Sequence, residues 1–169
     1  MTPYLVTPPA ALPVSLLDMK AHLQVVHDDD DAKIATLQAG HVATLDAYGG
    51  VLGRCIMPQT WAVDVTGPGP HLLPFPDATD VTADASGTAL ANELSRTAMG
   101  ICITVPEALT DQEITLQATY GLSAERLPAA QALVKIMVSR DYDALHGPNY
   151  DAAMRSADAL VSALRWRRL

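Results

Sequence analysis

Aromatic residues are scarce in this chain: one phenylalanine (Phe75), two tryptophans and five tyrosines among 169 residues. A core must therefore be assembled mainly from Leu, Val, Ile and Ala. No apolar run approaches the ~20 residues that a membrane-spanning helix needs. Met1-Thr2-Pro3-Tyr4 lacks the basic start and apolar run of a secretory signal, so the chain is expected in the cytosol with reduced thiols. Cys55 and Cys102 form no Cys-x-x-Cys pair, which removes the usual zinc and dithiol patterns. There is no Gly-x-Ser-x-Gly elbow, no phosphate-binding glycine loop and no Gly-x-Gly-x-x-Gly. His22, His27, His41, His71 and His146 stand at no short ligand spacing. The expectation is a protein that is not an enzyme and that takes no metal and no cofactor.

What is present is a polypeptide large enough for a genuine core. Hydrophobic residues make up 49% and charged residues 18%, which excludes global disorder. The formal net charge of −8 argues against a protein that wraps nucleic acid with its whole surface. The charge is unevenly distributed. Residues 1–154 hold seven Lys/Arg against eighteen Asp/Glu, whereas residues 155–169 hold four Arg against Asp158 alone. An acidic body with a basic C-terminal tip suits stacking against another component; a frayed, solvated tail is the plainer reading of the same composition.

Pro3, Pro8, Pro9 and Pro13 make residues 1–14 read as an extended arm that avoids helix and most sheet pairing. Ser15 offers an N-cap and Asp18 complements the helix dipole, ahead of a short helix over 15–26 with Leu16, Met19, Leu23 and Val26 on one stripe. Asp28–Asp31 supplies candidate caps for a long helix over 31–48. Its stripe is Ile34, Leu37, His41, Leu45 and Tyr48, widened by Ala35 and Val42, with Gly49-Gly50 as terminator. His41 reads as a packed core histidine. The aspartate run lacks the spaced ligands, the glycine and the distant glutamate of a calcium loop, so it reads as a solvated capping turn.

From residue 59 the period changes to two. Trp61, Val63 and Val65 alternate with polar partners until Gly67-Pro68-Gly69-Pro70. Asp80–Ala85 and Leu90–Leu94 are short strand candidates, Ile101–Val105 is a buried strand, and Ile114, Leu116, Ala118 and Tyr120 line one face of another. Pro128 fits the first turn of a helix over 127–145, carrying Ala130, Leu133, Val134, Met137 and Val138. Gly147-Pro148 interrupts it, and an Ala-rich helix follows over Tyr150–Leu164.

Read in order, Pro13-Val14-Ser15-Leu16-Leu17-Asp18-Met19-Lys20-Ala21-His22-Leu23, Asp28–Asp31, Gly53-Arg54 and Gln59-Thr60-Trp61 resemble the head–tail connector (adaptor) family of long-tailed bacteriophages and gene transfer agents. Leu73-Pro74-Phe75-Pro76 and Tyr120-Gly121 extend the resemblance, which weakens over the last forty residues, where Ser139-Arg140-Asp141-Tyr142 departs from an aromatic-rich helix end. The resemblance implies an α+β fold, a bundle of three to four helices with a small antiparallel β-region (59–121) inserted between the second and third helices. The expected organisation is an N-terminal arm (1–14), a single connector domain (15–146), and a C-terminal helix with a basic docking tail (147–169).

It further implies a structural ring, commonly of twelve copies, seated between the portal and the stopper or tail in the neck of the particle, with DNA passing through without sequence-specific binding. The expected partners are other copies of the chain, the portal protein, and a stopper or tail protein. Assembly would follow a period in the bacterial cytoplasm. Arg155, Arg165, Trp166, Arg167, Arg168 and Leu169 are the candidate portal or subunit interface, because Trp and Arg most often dominate interface energetics. Two alternatives stand beside this: a tail terminator or other neck protein of the same particle, and a cytosolic nucleic-acid-binding regulatory module.

Overall fold

The structure, a computed structural model, describes residues 2–85, 88–89, 93–97, 100–107, 112–142 and 148–166. Among the described residues it is a mixed α+β fold with four helices and two antiparallel sheets. In chain order the elements are β1 (Tyr4–Thr7), α1 (Leu16–Leu23), α2 (Asp31–Leu45), β2 (Gln59–Thr66), β3 (Gly69–Leu72), β4 (Ala78–Ala85), β5 (Thr88–Ala89), β6 (Glu93–Thr97), β7 (Gly100–Val105), β8 (Glu113–Tyr120), α3 (Leu127–Tyr142) and α4 (Pro148–Leu164). The chain divides into a β unit, within Met1–Ala10, Met57–Gly121 and Trp166–Leu169, and a helical unit, Ala11–Ile56 with Leu122–Arg165.

In the β unit, one sheet has the order β1-β2-β8-β4-β5 and the other β3-β7-β6. One small β-region is expected from the sequence; which strand pairs with which is a long-range choice that alternation does not encode. β8 is the centre of the larger sheet, pairing β2 from Gln59↔Tyr120 to Thr66↔Glu113 and β4 from Ala78↔Tyr120 to Ala85↔Ile114. Ile114, Leu116, Ala118 and Tyr120 point inward as their alternation predicts. The scarce aromatics meet at one place. Phe75 lies edge-to-face with Trp61 at 5.4 Å and with Tyr120 at 4.9 Å between ring centroids, an arrangement that adds to plain burial. Trp61 Nε1 donates to Gln59 Oε1 at 3.1 Å, which explains Gln and Trp two residues apart on one face of a strand.

The N-terminal arm departs from expectation. Tyr4–Thr7 forms β1 and pairs antiparallel with β2 through Tyr4↔Ala62, Leu5↔Trp61 and Thr7↔Thr60. The prolines flank this segment and do not interrupt it, and an edge position tolerates a strand that is paired on one side only.

The helical unit begins with the expected cap: Asp18 N–H donates to Ser15 Oγ at 3.1 Å. α1 ends at Gln24 in the left-handed region, so Val26 lies beyond the helix and is 95% exposed instead of on its stripe. Asp30 occupies the N-cap of α2 without a capping hydrogen bond; its Oδ2 instead accepts from Tyr142 Oη at 2.6 Å. α2 stops at Leu45, three residues short of Tyr48, which is exposed. The stop comes from Asp46, whose Oδ1 accepts from Ile56 N–H at 2.7 Å and draws the following loop back. Gly50 is needed for that loop, because a Cβ there would sit 2.2 Å from the Asp46 carbonyl oxygen. α1 and α2 both pack on α3, and α3 packs on α4. Ile34, Val42, Leu45, Leu133, Val134 and Val138 are buried, as is Ala130, while Ala35 faces outward.

Two stability measurements follow. Phe75→Ala should cost about 3–5 kcal/mol in urea unfolding, the usual loss for a buried phenylalanine. Gly50→Ala should cost at least about 2 kcal/mol, since the added methyl meets backbone that cannot rotate away; an unchanged midpoint in either variant would contradict the packing described.

Candidate assembly surfaces

The larger sheet has one polar face. Register places Thr79, Thr119, Thr60 and Thr7 in a row across β4, β8, β2 and β1, and Asp84, Thr115 and Asp64 in a second row. Thr66 and Glu113 form a third pair. Thr115 Oγ1 donates to Asp64 Oδ1 at 2.7 Å, Thr79 Oγ1 to the Thr119 carbonyl at 3.2 Å, and the Thr60 and Thr119 hydroxyls lie 3.2 Å apart. Asp64 and the nearby Glu113 join desolvation, the larger cause, in raising the Tyr4 phenol above its usual value. Among the described residues, these rows carry carboxylates and hydroxyls with no lysine or arginine. Such a face presents hydroxyls and negative charge, and negative charge repels phosphate. No single motif announces it; only the strand register brings these threonines together.

The residues of the basic tip separate. Arg155 is exposed on α4 and Arg165 is exposed just after it. Trp166 belongs to the β unit, half-buried against Gly100. Gly100 has φ +130°, and a Cβ there would come 3.3 Å from Leu72 Cδ1 and 3.5 Å from Trp166 Cζ2. The indole thus rests where the backbone offers no side chain. Beside it is a cleft of about 220 Å³ lined by Pro76, Arg96, Thr97, Gly100, Ile101 and Trp166. Arg167, Arg168 and Leu169 lie outside the described residues.

In the helical unit, the aspartate run is engaged by its neighbours. Lys20 Nζ stands 2.6 Å from both Asp28 Oδ1 and Asp31 Oδ1. Hydrogen bonding to Lys20, followed by its charge, holds the Asp28 carboxyl below the usual carboxylate range. Tyr142, which takes Asp30, also receives the Lys33 ammonium 4.4 Å from its ring centroid. His41 is packed at the α2–α3 contact with Nε2 2.9 Å from Asp141 Oδ2. Arg140 Nη2 donates to the same Asp141 oxygen at 2.7 Å. Arg140 first, and His41 after it, lower the Asp141 acid below its ordinary 3.8. Among the described residues no cluster of three His, Cys, Asp or Glu is arranged to hold a metal, and no helix is long and apolar enough to cross a membrane.

No protein-family model and no curated protein sequence matches this chain. Among solved structures, the whole chain aligns with 97% of a chain described as "Neck of empty GTA particle computed with C6 symmetry", at a TM-score of 0.69 and 18% identity. The likeness is one of fold. It extends over both units of this chain.

A depressed carboxylate stabilises the fold above its unfolded pKa, and the contribution disappears as pH falls through the lower folded value. Asp141→Asn should therefore cost up to about 1 kcal/mol near neutral pH, a modest figure because the carboxylate is partly solvated, and less at pH 2. An equal difference between variant and parent at both pH values would contradict this pairing.

Proposed function

We propose that this chain is a head–tail connector (adaptor) subunit, a structural protein rather than an enzyme, that forms a ring between the portal and the stopper or tail of a tailed phage or gene transfer agent. The observation that carries the reading is the fold likeness across the full chain to a component of a gene transfer agent neck. The ordered motifs from Pro13 to Trp61 support it independently, because they resemble the same class of protein. Twelve copies, the number implied by that resemblance, are compatible with the sixfold symmetry of the neck to which the fold is similar. A ring of identical subunits needs two different faces meeting head to tail, with a rotation that closes.

In this reading DNA passes through the ring, and the threonine and carboxylate rows of the larger sheet are the surface best suited to face it. Fixed cations there would hold phosphates and slow movement; hydroxyls and carboxylates do not. The basic tip from Arg155 to Leu169 is the docking element for the portal or a neighbouring subunit, with Trp166 leaving its seat on Gly100 for an external one. Before assembly the subunit resides in the bacterial cytoplasm.

Deleting the gene should leave filled heads and separate tails, seen by electron microscopy of lysates. Normal joined particles would contradict the connector role, and defects confined to the tail would favour a tail terminator. Truncation of Arg165–Leu169 should keep the circular dichroism spectrum while lowering DNA transfer at least about tenfold, the effect of losing one interface anchor of roughly 1.4 kcal/mol or more. Transfer at the parental level would move the docking surface elsewhere.

A further inference from the structure

The N-terminal arm is held at two places that differ greatly in grip. On the helical unit, Pro13 and Val14 are buried, and their adjacent carbonyls are both taken by side-chain amides. Gln131 Nε2 donates to Pro13 O at 2.7 Å, and Gln38 Nε2 donates to Val14 O. Gln38 is itself only 1% exposed, so releasing this anchor would strand a buried amide. On the β unit, every residue of β1 is exposed, and Tyr4, Leu5 and Val6 each keep 45% of their surface in solvent. The pairing with β2 shifts register between Leu5 and Thr7, and Tyr4 Oη reaches Asp64 Oδ1 at a long 3.3 Å.

Between the anchors, residues 8–12 are exposed or half-exposed. Pro8 and Pro9 have no N–H to add to a ladder, and the tether bends at Ala10 and Ala11 in the closed form, leaving length to extend. Five such residues reach roughly 16–18 Å.

We propose that, in the assembled ring, β1 leaves its own β2 and pairs with β2 of the adjacent copy, so that each subunit is tied to the next by an exchanged N-terminal strand. This rests on the ring reading above. The occupant is a second copy of this chain because the seat is already specified by the register Leu5↔Trp61 and Thr7↔Thr60, and an adjacent copy brings an identical strand. Exchange keeps every backbone hydrogen bond of the closed form, which makes it a low-cost route to association. It also places Tyr4, Leu5 and Val6 at the boundary between two copies, where apolar surface left in water by the single chain can be covered. Holding the neighbour in the ring removes most of the entropic cost of pairing between chains, so that the newly covered apolar surface can decide the balance. The free subunit keeps the closed one.

The test uses the full chain with its portal. Copies carrying Thr7→Cys are co-assembled with copies carrying Thr60→Cys, the rings are oxidised, and the products are separated on denaturing, non-reducing gels with the linked peptides identified by mass spectrometry. Exchange predicts a two-chain species joined through positions 7 and 60, absent from unassembled mixtures. It also predicts that chains carrying both substitutions form ladders of linked subunits in rings and internal links when free. Rings whose doubly substituted chains contain internal links alone, with no two-chain product from the mixed copies, would overturn the exchange while leaving the ring intact. If the parental chain forms no ring with its portal, the ring reading itself fails and the exchange falls with it.

Discussion

The β unit has very little aromatic material, and three of its rings meet on the dry face of the larger sheet, beside buried Val63, Val65, Ile114 and Leu116. Phe75, in the segment that leaves β3, inserts between Trp61 on β2 and Tyr120 on β8. β2 and β8 are adjacent and paired along eight residues, so the rings share one face with Val63, Val65, Ile114 and Leu116, and that face is dry. Once Trp61 and Tyr120 face inward, period-two geometry forces Thr60, Asp64, Thr115 and Thr119 outward. The polar rows on the opposite face are thus a consequence of the inward set as a whole, Val63, Val65, Ile114, Leu116 and Tyr120 with Trp61 beside them. A one-residue slip would exchange the two faces.

That dependence also explains what could be read before the structure. The strand over Gln59–Thr66, the alternation of β8 and the inward set of α3 follow from local periodicity, and Ser15 caps α1 as its chemistry implies. Three things were not legible. β1 was hidden because prolines on either side of Tyr4–Thr7 suggested an unpaired arm, while its seat on β2 lies more than fifty residues away in the chain. The early end of α2 depends on an Asp46 side chain reaching Ile56 N–H, a contact no helix propensity encodes. The burial of Gln38 depends on a carbonyl twenty-four residues earlier. On the polar face, each threonine looks ordinary alone; alignment across four strands gives the surface its character.

The surroundings of Trp166 were not legible for the same reason. Trp166 stood out by residue type, and it does find a concave seat, but the seat is made by Gly100 and its cleft in a distant strand. The function proposed here asks two opposite things of one small chain: a surface that repels DNA phosphates and a tip that binds another protein. Segregating charge along the sequence meets both demands. Eighteen carboxylates fall in the first 154 residues and four of the eleven basic residues in the last fifteen.

The central claim is that copies of this chain close into a ring against a portal. Cryo-electron microscopy of the purified protein mixed with its portal tests it most directly. A closed ring on the portal, with cyclic symmetry and a channel wide enough for duplex DNA, is the expected result. A single bound copy, a twofold dimer, or no binding at concentrations that saturate neck assembly would contradict it.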